Sequence, residues 1–228
     1  MILEARQIEK WFFRNRGDSN RFFAVEKTDL TLVPGTVTVL TGRSGSGKTT
    51  LLHMASGLLK PDGGTVSIDG NDLYAMDDGT LSRFRNLHMG MIPQGGDVLK
   101  DLTVMENILL AANLYRDSSS KVREEAAMNL LCTMQAENLR DVRAKELSGG
   151  ERRRVCVARA LLTSPEFVFA DEPTSDLDDE NMRIVLCSLR KAADHGAAVL
   201  IVSHDAEALE YADVRMHSRS TSSGFSII

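Results

Sequence analysis

The chain is short of cysteine, of excess positive charge and of long apolar runs, and each shortage removes a class of function. Its three cysteines, Cys132, Cys156 and Cys187, are odd in number and widely spaced with no C-x-x-C pair. That argues against a disulfide framework or a zinc site and for a reducing compartment. Free cysteine is among the residue types most often buried, so the three are expected as small core residues. Lys and Arg number 27 against 32 Asp and Glu, a net charge of −5, which leaves no broad basic surface for nucleic acid. Apolar runs such as Ala197 to Val202 fall far short of the ~20 residues that a membrane-spanning helix needs. The opening Met1-Ile2-Leu3-Glu4-Ala5-Arg6 places charge where an export signal holds a continuous apolar stretch. No signal and no direct membrane insertion are expected, so a membrane role would require another chain to form the channel.

What is present suits one globular unit over 1–228: 43% of 228 residues are apolar, enough to close a substantial core. Three short apolar runs end at polar or charged residues: Val37 to Leu40 before Thr41-Gly42, Phe167 to Ala170 before Asp171, and Val199 to Val202 before Ser203-His204. They read as buried parallel strands whose C-terminal ends carry chemistry, where open α/β sheets hold ligands. Met182, Val185, Leu186 and Leu189 recur at i, i+3, i+4, i+7 and predict an amphipathic helix on such a sheet. Pro61-Asp62-Gly63-Gly64 and Asp69-Gly70 bracket the strand-like Thr65 to Ile68, a hairpin or meander that mixes antiparallel strands into the N-terminal third. From about 96 to 162 the pattern turns helical, with helices expected at Glu106 to Leu114 and Lys121 to Met134. This reads as a helical subdomain inserted in an α/β core. No repeat or linker is visible, and the Ser-rich end, 218–228, reads as a mobile tail.

Gly42-Arg43-Ser44-Gly45-Ser46-Gly47-Lys48-Thr49 matches G-x-x-x-x-G-K-[ST] between a predicted strand and a helix predicted over Thr49 to Leu59. Glycines let successive N–H groups turn toward phosphate oxygens, and the helix start adds partial positive charge, with Thr50 next in line. Lys48 would neutralise the β- and γ-phosphates of ATP and the Thr49 hydroxyl would ligate Mg²⁺. Average residue usage produces the pattern by accident in a chain of this length on the order of 1% of the time. Asp171 and Glu172, adjacent at a buried strand end, would repel each other without a cation nearby.

Leu147-Ser148-Gly149-Gly150-Glu151-Arg152, followed by Ala158-Arg159-Ala160-Leu161-Leu162, resembles the signature sequence of ABC ATPases. A Ser hydroxyl and Gly N–H groups at a helix start can hold an anion, and a capping turn is the plainer alternative. The resemblance implies a P-loop cassette with a RecA-like core, an N-terminal antiparallel β subdomain and the inserted helical subdomain. It also implies that two cassettes pack head to tail, so that Ser148, Gly149 and Gly150 serve the ATP of a second cassette, with a homodimer favoured. Phe167-Val168-Phe169-Ala170-Asp171-Glu172-Pro173 looks like the family's second metal motif. By that resemblance Asp171 would hold Mg²⁺ and Glu172 would orient and deprotonate water. Thr174-Ser175-Asp176-Leu177-Asp178 resembles the loop that crosses the dimer interface, with Asp178 its matching carboxylate. Gln94 stands where family members have the glutamine that reaches Mg²⁺ and the attacking water. His204 matches the histidine that contacts the γ-phosphate, and Phe12 of Trp11-Phe12-Phe13 best matches the aromatic residue under adenine. His53, His88, His195 and His217 show no metal-ligand spacing.

The resemblance runs from about Leu3 to Val214. Phe84 to Gly90 and Leu102 to Ile108 look most like the cassettes of lipoprotein-release, macrolide-export and peptide-resistance systems. Departures are Glu151 for the commoner Gln, Thr36 after Gly35, and the missing Ala in Ser175-Asp176-Leu177-Asp178; none removes a catalytic group. The reading is an ATPase peripheral on the cytoplasmic face of the membrane, powering a separate transmembrane permease subunit. The alternative is a soluble single cassette on a cytosolic scaffold, as in iron–sulfur assembly.

Overall fold

A strand buried along its length on both faces needs a layer on each side of its sheet, and three such strands, apolar but for Thr38, Thr41 and Asp171, form the centre of the molecule. The computed structural model describes residues 1–13, 21–115, 119–220 and 225–227. The chain begins with β1 (Leu3–Phe13) and β2 (Arg21–Leu32), an antiparallel pair, then β3 (Val37–Thr41) and α1 (Lys48–Ala55). Strands β4 (Gly63–Ile68) and β5 (Asn71–Asp72) complete a four-stranded antiparallel sheet in the order β2-β1-β4-β5. Helix α2 (Asp78–His88) and strand β6 (Met89–Ile92) lead to α3 (Val104–Tyr115), α4 (Ser120–Thr133) and α5 (Gly149–Leu161). The chain then alternates β7 (Phe167–Asp171), α6 (Asp179–Asp194), β8 (Ala198–Val202), β9 (Val214–Ser220) and β10 (Phe225–Ile227). The second sheet runs β10-β9-β3-β8-β7-β6, parallel except for the antiparallel β10–β9 edge pair.

Side chains alternate across these central strands and feed two cores. Val37, Val39, Val168, Ala170, Val199 and Ile201 pack toward α3, α4, α5 and α6. Leu40, Phe167, Phe169, Ala198, Leu200 and Val202 pack toward α1 and the antiparallel sheet. The rings of Phe167 and Phe169 stack at 6.4 Å between centroids. Of the expected stripe, Val185, Leu186 and Leu189 of α6 are buried and Met182 is half-buried in the first core.

The helices expected at 106–114 and 121–134 are α3 and α4, each within two residues of the expected ends. Helix α1 stops at Ala55 rather than Leu59. Gly57 takes φ +72° and the N–H groups of Gly57 and Leu58 bond back to Met54 and His53, a left-handed cap that closes the helix. Helix α2 was not expected; Asp77 caps it by accepting from the Thr80 N–H at 3.0 Å, and Leu81 is its buried contact. Two corrections concern the tail and the cysteines. Residues 218–220 continue β9, where the sequence suggests mobility, and 225–227 form β10; 221–224 and 228 lie outside the described residues. Only Cys156 is buried, whereas Cys132 and Cys187 are exposed because they fall on the outer faces of α4 and α6.

Candidate nucleotide site

The loop between β3 and α1 is folded around its own lysine. Gly45 and Gly47 take φ +75° and +83°, a conformation that L side chains resist, and Gly47 immediately precedes α1. Ser46 donates its N–H to the Arg43 carbonyl at 3.2 Å, which closes the turn. Lys48 is 5% exposed, and its Nζ donates to the carbonyls of Gly42 and Arg43 at 2.9 and 3.0 Å. Its charge is thus held at the mouth of the loop by carbonyls of Gly42 and Arg43, between Gly42 and Thr50. Ser44 and Gly45 are exposed, and a side chain added at Gly45 would meet nothing within 4 Å.

Beside this loop, the Thr49 hydroxyl donates to both carboxylate oxygens of Asp171 at 3.1 and 2.9 Å. Burial pushes the Asp171 carboxyl above the usual carboxylate range, the Thr49 hydroxyl pulls it down, and the neighbouring Glu172 raises it again. A hard oxygen pair of this kind, partly neutralised and penalised by burial, suits a small divalent cation. Glu172 follows at the end of β7 with φ +46°, an unusual backbone for a residue with a side chain. Its carboxylate is 8% exposed and accepts the His204 N–H at 3.2 Å and pairs with His204 Nδ1 at 2.8 Å. That pairing raises the pKa of His204, through the hydrogen bond to Glu172 first, then the charges of Glu172 and Asp205. Lys48, Thr49, Asp171, Glu172 and His204 thus lie together where β3, β7 and β8 end.

Ser148, Gly149, Gly150, Asp178, Phe12 and Gln94, also expected from the sequence, lie outside this cluster of bonds. Ser148 caps α5, its hydroxyl accepting the Glu151 N–H at 3.3 Å while Glu151 Oε2 accepts the Ser148 N–H at 2.7 Å. This capping box gives Glu151 a role that a Gln could also fill, and it leaves Ser148 and Gly149 exposed. Asp178 caps α6 instead of facing the cradle, accepting from the Asn181 N–H and amide at 2.8 and 2.9 Å. Phe12, 38% exposed, lies against Phe22 at 6.2 Å and under Lys10 Nζ at 5.9 Å, while Trp11 and Phe13 pair edge to face with each other.

Two residues of the site gave no sequence signal. Ser218 on β9 bonds the Ser46 hydroxyl at 2.8 Å and packs on Gly42, where an added Cβ would fall 1.6 Å from its Oγ. Arg153, buried on α5, donates to the carbonyls of Pro93 and Gln94, so Gln94 is held through its backbone. Neither residue belongs to a spacing pattern, and each acquires its contact only through tertiary packing.

The family model described as ABC transporter matches residues 25–175. The lipoprotein-releasing system ATP-binding protein LolD of Buchnera aphidicola is 35% identical over 96% of this chain and 95% of its own length. LolD 1 of Caulobacter vibrioides is 38% identical over 90% of this chain and 86% of its own. The dimeric structure of MJ0796, a bacterial ABC transporter cassette, superposes with a TM-score of 0.87 at 28% identity, covering 94% of this chain and 93% of that one. The same cassette is also known as a dimer in a post-hydrolysis state bound to ADP and Pi, again with a TM-score of 0.87. With the phosphate loop, the paired carboxylates and the histidine in place, this chain belongs to the ABC transporter family, as its ATP-binding and ATP-hydrolysing cassette.

Proposed function

We propose that the chain binds MgATP in the 42–50 loop, closes with a second cassette, hydrolyses the nucleotide and reopens, working a separate transmembrane subunit. The observation that carries this is the meeting of Lys48, Thr49, Asp171, Glu172 and His204 at the ends of three adjacent parallel strands. Lys48 exchanges its two loop carbonyls for phosphate oxygens and neutralises their charge. The N–H groups from Gly42 to Thr50 complete the cradle. Thr49, Asp171 and Gln94 would hold Mg²⁺, which when bound supplies charge neutralisation at the β- and γ-phosphates. Glu172 orients the attacking water and accepts its proton, and His204, already paired with Glu172, turns its ring to the γ-phosphate. Phe12 stacks on adenine.

Ser148 and Gly149 stand exposed and Gly150 half-buried at the start of α5, where N–H groups and the helix dipole favour an anion. They serve the γ-phosphate held by the partner cassette, and Asp178 lies across that interface. If the partner is a second copy, the pair has two-fold symmetry. The relatives named for lipoprotein release, together with a methionine import ATP-binding protein 38% identical over 87% of this chain, favour a membrane transport system over the cytosolic scaffold. Among the described residues no helix is long and apolar enough to cross a membrane. In this reading the transmembrane partner is a separate subunit and the cassette is peripheral on the cytoplasmic face.

Size-exclusion mass of the Glu172→Gln variant tests the trans arrangement. Slowed hydrolysis is expected to give an ATP-dependent shift from monomer to dimer, lost when Ser148→Arg is added. A chain that binds ATP and remains monomeric at all concentrations rejects self-pairing, and one that fails to bind ATP rejects the whole reading.

A further inference from the structure

Arg153 sits on the second turn of α5, one turn beyond the Ser148 to Gly150 segment, and is 5% exposed. A guanidinium is seldom buried unless its donors are matched. Here Nη1 donates to the Pro93 carbonyl at 2.7 Å, and Nη2 donates to the Gln94 carbonyl and to the Ser175 hydroxyl at 3.0 Å. The Ser175 hydroxyl in turn donates to the Glu172 carbonyl at 3.1 Å. Burial lowers the pKa of the guanidinium, and Cys156, Asp176, Asp171 and Asp97 favour its charge, in that order.

Residues 153, 156 and 159 share one face of the helix. Cys156 and Arg159 both point at the Asp97 carbonyl, at 3.5 and 2.7 Å. This face of α5 therefore grips the 93–97 loop by its backbone, which fixes where the loop lies whatever its side chains are. Arg153 adds a bond that Cys156 and Arg159 do not share: through Ser175 it reaches the segment that begins at Glu172. One side chain thus joins the signature helix, the Gln94 loop and the backbone of the Glu172 segment.

We propose that Arg153 is a positioning residue that makes Gln94 and the Glu172 segment follow the signature helix, so that a partner's nucleotide seated on Ser148 to Gly150 is registered at this chain's own site. The proposal rests on the roles assigned above to Gln94 and Glu172. Arg153 bonds to the Pro93 and Gln94 carbonyls and the Ser175 hydroxyl, so its loss acts through Gln94 and through the Ser175 link to Glu172. Truncation lets the Gln94 loop and the Ser175 turn drift relative to α5. The cradle, whose bonds lie within its own turn and the start of α1 and to Asp171 and Ser218, keeps its form.

The test measures ATP turnover, MgATP affinity by equilibrium titration and melting temperature of the full chain carrying Arg153→Met, Gln94→Ala, or both. Arg153→Met is expected to lower kcat about tenfold or more, as loss of supporting hydrogen bonds commonly does, with MgATP affinity within about threefold of the parent. The double variant should lose less than the product of the two single losses, because Arg153→Met and Gln94→Ala share the Gln94 route. Unchanged kcat in Arg153→Met, or losses that multiply in the double variant while Gln94→Ala alone is damaging, overturns the proposal. A silent Gln94→Ala instead overturns the role given to Gln94, a different failure. Should Arg153→Met not fold, Ser175→Ala removes a single hydroxyl from the same route. Its kcat must fall with MgATP affinity kept; a full rate in Ser175→Ala counts against the route.

Discussion

Glu172 accepts two bonds from one residue, the N–H and the ring of His204, and its own backbone is turned to φ +46° to allow this. Such a conformation costs on the order of 1–3 kcal/mol for a residue with a Cβ and persists only where its surroundings enforce it. Here the Glu172 N–H is tied to the Val202 carbonyl at 2.8 Å. The pairing has a sign in pH. The pKa of His204 is raised in the folded chain, so the stabilisation it contributes is complete below the ordinary histidine value of about 6.5 and is lost as pH rises through the raised value. Because the His204 side chain is 61% exposed, solvent screens the pair and the effect on global stability is small. The titration itself is the better readout. A proton-resonance titration of the His204 ring in the nucleotide-free chain should give a midpoint above the ordinary value, falling back in Glu172→Gln. Equal midpoints in the two proteins would show that the pair does not form in solution. At this scale the sequence was most informative where spacing carried the chemistry. Lys48, Thr49, Asp171, Glu172 and His204 meet as the motifs imply, whereas Arg153 and Ser218 owe their roles to neighbours more than 50 residues away.

The start of α5 shows how one element can serve two purposes. Ser148 and Glu151 satisfy each other's N–H groups and so cap the helix, and between them Gly149 has open space beside it, as the proposed anion site requires. The bond from the Ser148 N–H holds the Glu151 carboxyl below the usual carboxylate range. Its contribution is therefore present above the ordinary value and lost as pH falls through the depressed one. Ser148→Ala should lower stability by about 1 kcal/mol, read as a shift in denaturant midpoint with unchanged slope. Glu151→Gln keeps an acceptor at the third position and should cost less; an equal loss from both would mean that charge at the helix start outweighs the reciprocal bonds. The same element-scale view explains what was legible. Apolar runs and a 3.6-residue stripe gave β3, β7, β8 and α6. Helix α2 was missed although Asp77 is a recognisable cap, because only Leu81 is fully buried and the surrounding pattern is weak. The expected end of α1 ignored Gly57, whose left-handed turn stops the helix. The serine-rich end reads as mobile by composition, yet Ser218 is buried because β9 runs parallel to β3 and brings that side chain onto the phosphate loop.

At the scale of the whole chain, the central strands join two cores that have little else in common. Helices α3, α4, α5 and α6 close one face of the sheet, and α1 and the antiparallel sheet close the other. Nucleotide binding falls on the strand ends between them, so it should stabilise both halves together. A ligand that binds only the folded state adds RT ln(1 + [L]/Kd), about 2.7 kcal/mol at roughly a hundredfold excess over Kd. For a chain of this size that corresponds to roughly 5–10 °C in Tm. MgATP should therefore raise the melting temperature of the parent chain by this order, and Lys48→Ala should lose most of the rise. Glu172→Gln should show a rise that grows with protein concentration, because pairing of cassettes adds a second linked equilibrium to the first. The parent, which hydrolyses its ligand and reopens, should show a weaker concentration dependence. A rise independent of protein concentration in Glu172→Gln would mean that ATP binds without bringing two copies together, and that the second cassette is a different chain.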